Sequence, residues 1–143
     1  GVHVVGWLVR FESFKRNEIE AVLCHELGHH FVGGEDEFGA DYFVTKTCLP
    51  LLWDGQNHED RFDRDVALRV LNHTISSQCS KHSSEAYCLR ATLAMYNIGL
   101  FRQWVWAKRN MSIDVQTEND CRMKIVLQGL FDAPLKDCDS INN

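Results

Sequence analysis

The sequence lacks any apolar run long enough to cross a membrane, and it lacks any cluster of basic residues. No stretch of its 143 residues approaches the ~18 to 20 apolar residues that a membrane span requires. Lysine and arginine are scattered and the formal net charge is −5, so the basic surface typical of nucleic-acid or anionic-membrane binding is missing. These absences predict a soluble globular protein with no membrane span and no nucleic-acid partner.

Internal repeats, low-complexity stretches and convincing linkers are also missing. A chain of this length buries roughly two thirds of the surface that its unfolded form exposes. We therefore expect one domain spanning residues 1–143, with a core of its own.

The six cysteines include no CxxC pair, which argues against a cysteine metal site. An even number in a chain this small is typical of exported, disulfide-bonded proteins, so we expect a secreted or periplasmic protein. The start "GVHVVGWLVRF" lacks the features of a signal peptide and would then belong to a mature or trimmed chain. We predict the bridges Cys79–Cys88 and Cys121–Cys138. Cys24 is open to pairing or to a role as a buried free thiol.

Apolar periodicity predicts a mainly helical fold with a short β element. The segment from Val2 to Phe11 is rich in Val, Trp and Leu and predicts a strand. Ser13 or Asn17 would cap a helix from about Glu18 to Val32, and Gly33-Gly34 would end it. The core face of this helix is predicted from apolar residues at helical spacing: Ile19, Leu23, Leu27 and Phe31.

Further helices are predicted along the rest of the chain. The second should run from about Glu35 to Leu52, where Pro50 and the loop "WDGQNHED" break it. "RFDRDVALRVLNH" looks helical, and another helix should run from about Ser84 to at least Tyr96. "LFRQWVWAKRN" could prolong that helix or form a strand. A last helix fits Asp120 to Phe131, with Thr117 or Asn119 as its cap.

The stretch "CHELGHHFVGGEDEFGADYF" concentrates histidines and carboxylates. It contains HExxH, a pattern of zinc peptidases in which two histidines, His25 and His29, face the same way one helical turn apart. A catalytic zinc needs a third protein ligand and one open position. Glu37 and Asp41 follow as ExxxD and share one face of the next helix.

The glycine turn makes this geometry self-consistent. His29 lies about one turn before Gly33-Gly34 and Glu37 about one turn after it, so antiparallel helices would direct both side chains into the same region. Asp41 would then lie level with His25 and accept the proton on its free ring nitrogen.

HExxH followed by ExxxD resembles the gluzincin group of zinc metallopeptidases. The resemblance implies a minimal zincin-like fold in which His25, His29 and Glu37 bind one zinc ion, Glu26 is the general base and Asp41 supports a zinc-bound histidine. "GADYFVTKTCLP" is similar to a run in ImmA/IrrE-like metallopeptidases. "HELGHH" and "ADYF" with a following cysteine are similar to small exported bacterial gluzincin-like proteins. The resemblance covers about residues 24–50.

Two neighbouring carboxylates, Glu35 and Asp36, are alternatives for the third ligand. The metzincin pattern HExxHxxGxxH places a glycine three and a ligand six residues after the second histidine. Gly33 and Asp36 come one step later than that pattern requires, so the spacing favours Glu37.

Such a centre hydrolyses peptide or amide bonds. Zinc lowers the pKa of bound water from 15.7 towards ~7, and Glu26 would take the proton of that water. Side chains elsewhere in the chain could stabilise the oxyanion or bind substrate: Arg122, Tyr87 and His82, with His73 and Tyr96 as further candidates. The histidines lie in polar, loop-like sequence and the tyrosines suit the core, whereas Arg122 directly follows Cys121.

We therefore expect a zinc metallopeptidase that acts on a peptide or protein substrate. One alternative is a zinc amidase acting on cell-wall peptides, because the same centre serves that reaction. Another is a non-catalytic zinc-containing binding module. Glu26 argues against the binding module, since a structural site has no need of a base. The sequence leaves the oligomeric state open.

Overall fold

The structure is a computed structural model that describes residues 15–108, 115–136 and 138, with side chains described except at 105–108 and 115–118. Within these residues the regular structure is entirely helical. The α-helices are α1 (Arg16–Val32), α2 (Glu37–Phe43), α3 (Leu49–Leu52), α4 (Arg64–Val70), α5 (His73–Cys79), α6 (Glu85–Lys108) and α7 (Val115–Leu130). The mainly helical prediction is confirmed. The strand predicted over Val2–Phe11 lies outside the described residues.

Helix α1 ends where the sequence predicts but begins earlier. It stops at Val32, and Gly33 follows with φ 109°, a backbone conformation that glycine adopts without a steric cost. Asn17 lies inside the helix and does not cap it, because its amide bridges to other elements. Its Nδ2 donates to the Arg61 carbonyl oxygen at 2.7 Å, and its Oδ1 accepts from Arg90 Nε at 3.1 Å.

The predicted core face of α1 is wrong for three of its four residues, whereas Ile19 packs against the core. Leu23, Leu27 and Phe31 are 37%, 41% and 70% exposed. The helix instead buries the face that carries its small residues, because α2 approaches closely there. A Cβ atom on Gly28 would lie 3.1 Å from Ala40 Cα, so only glycine fits this contact without displacement of the neighbour.

The second helix continues to Leu52 as predicted, but its hydrogen-bonding pattern changes from α-helical to π-helical at Val44 and back at Leu49. Helix α2 passes directly into the π-helical segment Val44–Cys48 and then into α3. The Leu49 N–H bonds to the Val44 carbonyl oxygen five residues earlier. Pro50 has no N–H and its ring would crowd the preceding turn of a regular α-helix. The wider π turns precede this proline, so the helix continues through Pro50 and ends after it.

Helix α6 is the centre of the fold and is almost continuously buried from Tyr87 to Met95. It packs against α1 on one side and against α7 on another. The π-helical segment is fixed between α6 and α7, because Tyr87 Oη donates to the Thr45 carbonyl oxygen at 3.1 Å and Thr45 Oγ1 donates to that of Val126 at 3.0 Å. These bonds hold the second helix, and with it Glu37 and Asp41, against the core.

The structure decides between the two alternatives for the end of α6 and moves the start of α7. "LFRQWVWAKRN" continues α6 as far as Lys108, and α7 begins at Val115, so Asn119 lies within it. Helix α5 was not predicted. Asn72 caps it by accepting from the Ile75 N–H at 2.9 Å. Across the described part of the chain, no helix combines the length and apolar character needed to span a membrane.

Three disulfides connect the helices. The predicted bridges Cys79–Cys88 and Cys121–Cys138 are confirmed. Cys24 is not a free thiol, because it is bonded to Cys48. The Cys24–Cys48 bridge joins α1, at the residue before His25, to the π-helical segment. It therefore restrains the pair of helices that carries the histidines and carboxylates.

We expect the double variant Cys24→Ala/Cys48→Ala to lose more stability than Cys79→Ala/Cys88→Ala. The bridges span 24 and 9 residues, and loop-closure entropy alone gives losses of roughly 3.5 and 2.6 kcal/mol. Denaturant unfolding of both variants measures the difference. Because the second pair lies far from His25 in the chain, it also serves as the control for metal affinity, which should fall only in the first variant. An equal affinity in both would contradict this role of the Cys24–Cys48 bridge.

Candidate metal centre

Helices α1 and α2 bring three metal-binding side chains together across the Gly33 turn. His25 Nε2 lies 3.0 Å from Glu37 Oε2 and 3.0 Å from His29 Nε2. His29 Nε2 lies 3.3 Å from Glu37 Oε1. One ligand atom from each residue lies within 4.8 Å of the others. This group could hold a metal ion, and it consists of the three residues that the sequence pattern predicts.

Hydrogen bonds on the outer ring nitrogens orient both histidines. His25 Nδ1 lies 2.7 Å from Asp41 Oδ1, and His29 Nδ1 lies 3.0 Å from the Gly33 carbonyl oxygen. Both oxygens accept, so in the neutral ring Nδ1 carries the proton and Nε2 presents a lone pair. Two lone pairs and a carboxylate then face one another, which is an arrangement that a cation stabilises.

The donor types suit a metal ion such as zinc. Two imidazole nitrogens and a carboxylate oxygen are typical zinc ligands, and bonds of about 2.0–2.1 Å separate the ligand atoms of a tetrahedral site by about 3.3 Å. The separation of 3.0 Å between the two Nε2 atoms is close to this value. The short distances to Glu37 involve both of its oxygens, and one ligand atom from each residue lies within 4.8 Å of the others. The alternative ligands are engaged or remote: Asp36 caps α2 by accepting from the Gly39 N–H at 2.8 Å, and Glu35 is exposed.

Asp41 is fully buried between His25 and Arg122. Its Oδ1 accepts from His25 Nδ1 and from Arg122 Nη2 at 2.6 Å, and its Oδ2 accepts from Arg122 Nε at 2.5 Å. The guanidinium is itself only 6% exposed. A guanidinium that donates N–H groups to both oxygens of a carboxylate fixes the plane of that carboxylate. Arg122 therefore acts on the site through Asp41 and orients the ring of His25.

The charges of this cluster favour the ionised carboxylates. Burial acts to raise the pKa of Asp41, but the His25 hydrogen bond and the Arg122 charge outweigh it and lower the pKa. The His25 hydrogen bond also lowers the pKa of Glu37. Burial acts to lower the pKa of His25, whereas its hydrogen bonds to Asp41 and Glu37 raise that pKa to about 9. Without a metal, a proton on His25 compensates the two carboxylates.

A cleft of about 280 Å³ is lined by two of the three candidate ligands, His25 and Glu37. Glu26 is half-buried in its wall, next to His25 in the chain. The apolar part of the wall comes from α1 and α6: Val22, Met95, Ile98 and Phe101. Arg102 of α6 and Arg122 of α7 are its cations. Glu26, two of the candidate ligands and an apolar surface thus share one cleft.

Arg102 is a site residue that the sequence analysis missed. Its Nη1 lies 3.9 Å from Glu37 Oε2, and its side chain lines the cleft. The signal was present, because Ile98, Phe101 and Arg102 follow Met95 at spacings of three and four residues within one helix. The pattern of "LFRQWVWAKRN" suits a helix and a strand equally, so the sequence alone does not place Arg102 on the same face as Met95.

His82 and Tyr87, two of the predicted oxyanion candidates, are not brought to the metal centre. Both line a different groove of about 370 Å³, formed with the π-helical segment and the end of α7. His82 Nε2 donates to the Leu130 carbonyl oxygen at 2.8 Å, and its Nδ1 accepts from the Ser84 N–H at 2.8 Å. Of Arg122, Tyr87 and His82, Arg122 is the candidate that reaches the cleft.

The raised pKa of His25 gives the metal-free protein a predictable response to pH. A histidine whose pKa rises from 6.5 in the unfolded chain to about 9 in the fold contributes stability below pH 6.5 that is lost as the pH rises through 9. The melting temperature of chelator-treated protein should therefore fall over this window. His25→Gln should remove this part of the pH dependence. If the melting temperatures of the two proteins changed with pH in parallel, this role of His25 would be contradicted.

Removing the guanidinium of Arg122 should weaken both the fold and the site. Arg122→Met leaves the Asp41 carboxylate buried without its cation, at a cost of about 3 to 5 kcal/mol in unfolding free energy. Loss of an orienting partner typically lowers metal affinity about 10- to 100-fold. Asp41→Asn/Arg122→Met should recover stability, since no charge is left unpaired, while affinity stays low. If the double variant recovered both its stability and its metal affinity, this would show that Arg122 does not act through Asp41.

Comparison of the chain with models of known protein families, with curated proteins and with solved structures finds no match. The case for a function therefore depends on the residues of this site and on their geometry.

Proposed function

We propose that this protein is a zinc-dependent hydrolase of peptide bonds, with one zinc ion held by His25, His29 and Glu37. The observation that carries the proposal is the convergence of two Nε2 lone pairs and a carboxylate beside Glu26 in an open cleft. A site with three protein ligands leaves a coordination position for water or substrate, as catalytic zinc sites do.

The role of each group in the proposed reaction follows from its chemistry. A bound zinc ion supplies a Lewis acid that makes water more acidic and polarises a carbonyl group. Glu26 accepts the proton from that water and delivers it to the amine that leaves. Asp41 keeps the Nδ1 proton on His25, so that Nε2 stays available as a ligand. Arg122 holds Asp41 in the required orientation.

The walls of the cleft favour an apolar side chain next to the bond that is cleaved. Val22 lies one turn before Glu26 on α1, and Ile98 and Phe101 face it from α6. A volume of about 280 Å³ is close to the lower end of the range for ligand sites, so the cleft suits one large apolar side chain better than a longer segment. Arg102, at the same cleft, offers an N–H donor to a substrate oxygen.

The location of the reaction is inferred from the disulfides. Three bridges connect the described helices, and bridges of this kind persist in oxidising compartments. We therefore infer a secreted or periplasmic peptidase. The Cys24–Cys48 bridge adjoins His25, so a reducing compartment would act against the proposed centre itself.

The decisive variant is Glu26→Gln, which preserves the shape of the side chain and removes the base. We expect turnover of a mixed peptide library to fall by at least about a hundredfold, the lower range for general-base catalysis, while one zinc per chain is retained. Mass spectrometry of the digest and metal analysis of the same preparations measure the two quantities.

Glu35→Gln is the matched control, because it removes the same charge from an exposed position outside the cleft. It should leave turnover unchanged. Equal turnover by wild type and Glu26→Gln would favour the non-catalytic binding module, and absence of tight zinc binding in wild type would remove the basis of the proposal. Cleavage of cell-wall peptides alone would favour the amidase.

A further inference from the structure

A second groove, of about 610 Å³, lies between the N-terminal end of α1, helix α4 and helix α6. None of the residues that line it lines the metal cleft. Its volume lies within the range of about 300 to 1,000 Å³ typical of sites for small ligands. The groove is therefore a separate candidate site.

Glu18 gives this groove an unsatisfied acceptor. Its side chain is only 6% exposed, and its Oε1 accepts from Asn97 Nδ2 at 2.8 Å. Its Oε2 is buried and has no hydrogen-bond partner among the described residues. Burial raises the pKa of this carboxyl group. A buried acceptor without a donor is costly, so a ligand that supplies a positively charged donor would be stabilised here.

The floor of the groove is apolar. It is built from side chains of α4, of the turn before it and of α6: Phe62, Val66, Val70, Leu93 and Leu100. Along α6 the groove extends from Arg90 to Leu100, which is about 15 Å at 1.5 Å per residue. An extended chain advances about 3.3 to 3.6 Å per residue, so there is room for about four residues.

The rim of the groove is cationic. Lys15, Arg16 and Arg61 are exposed there. Arg16 makes only an exposed contact with Glu20, at 3.5 Å. Among the described residues that line the groove, Asp63 is the carboxylate at this rim, and it caps α4 by accepting from the Val66 N–H at 3.2 Å. The three cations outnumber it, so the rim keeps a net positive charge. A negatively charged group on a ligand would therefore be attracted to the rim.

A buried guanidinium next to the groove does not belong to the ligand-binding set. Arg90 Nε and Nη2 donate to Asn17 Oδ1 at 3.1 and 3.0 Å, and its guanidinium lies 3.5 Å from the centre of the Trp53 ring. These contacts hold the wall in place. The charges available to a ligand are thus one carboxyl inside and three cations outside.

We propose that this groove binds short apolar peptides with both termini free, their ammonium group at Glu18, their side chains on the apolar floor and their carboxylate at the cationic rim. A simple anionic amphiphile would leave the Glu18 acceptor unsatisfied, and a simple amine would be repelled by the rim. A zwitterion satisfies both. Hydrolysis of polypeptides releases such peptides, but the chemistry of the groove does not depend on the metal centre.

The test measures binding of the dipeptide Leu-Phe by calorimetry and amide NMR. The protein is the full chain carrying Glu26→Gln, loaded with zinc, so that the probe is not cleaved. Perturbed signals are expected at the Asn97 side-chain amide and at the backbone amides of residues 61–66. N-acetyl-Leu-Phe, which lacks the ammonium, should bind about tenfold more weakly or worse. Leu-Phe-amide should lose only about two- to fivefold, because the rim is exposed to solvent.

Two variants separate the two ends of the ligand. Glu18→Gln keeps the acceptor for Asn97 but not the charge, so it should weaken Leu-Phe about tenfold and leave N-acetyl-Leu-Phe unchanged. Arg61→Gln, at an exposed position, should weaken Leu-Phe and leave Leu-Phe-amide unchanged. Glu35→Gln is the charge control and should bind all three probes like the parent.

The proposal is overturned if Glu18→Gln binds Leu-Phe as the parent does, if none of the probes binds, or if the perturbed signals are confined to residues 22–37. Far-UV circular dichroism of each variant verifies the fold, and Arg61→Gln keeps the test informative if Glu18→Gln is unstable. Because hydrolysis is measured separately in protein with Glu26 intact, failure of the groove and failure of the metal centre give different results.

Discussion

The buried carboxylate of Asp41 is the interaction on which the rest of the site depends. It accepts from His25 on one side and from Arg122 on the other, with no exposure to solvent. A buried charge persists only where charged partners and hydrogen bonds compensate it. Helices α1, α2 and α7 each contribute one of these three residues. The same contacts therefore fix the packing of the three helices and the orientation of His25.

Close packing of α1 against α2 makes these contacts possible. Gly28 lets α2 approach α1, and the Cys24–Cys48 bridge restrains the same pair of helices. The π-helical segment carries Thr45, whose bonds to α6 and α7 hold the second helix in place. The histidines thus lie on a helix that is anchored on the side facing α2. This anchoring suits a site whose ligand atoms must keep their separations within a few tenths of an ångström.

Several parts of this arrangement could be predicted from the sequence, and others could not. The HExxH and ExxxD spacings led to His25, His29, Glu37 and Asp41, because ligands on adjacent helices follow directly from helical periodicity and a glycine turn. The role of Arg122 could not be inferred, since 81 residues separate it from Asp41. Periodicity alone also chose the wrong face of α1. It identifies which residues share a face, but not which face a neighbouring helix will cover.

Sequence alone was enough to predict the helical character of the chain, the turn at Gly33, the two short-range disulfides and the three residues around that turn that could hold a metal ion. These features depend on residues close together in the chain, where backbone geometry limits the outcomes. Tertiary structure decided the partner of Cys24, the ion pair of Asp41 with Arg122, the apolar wall from α6 and the groove above Glu18. Each of these joins distant segments, and their contacts depend on how whole helices pack.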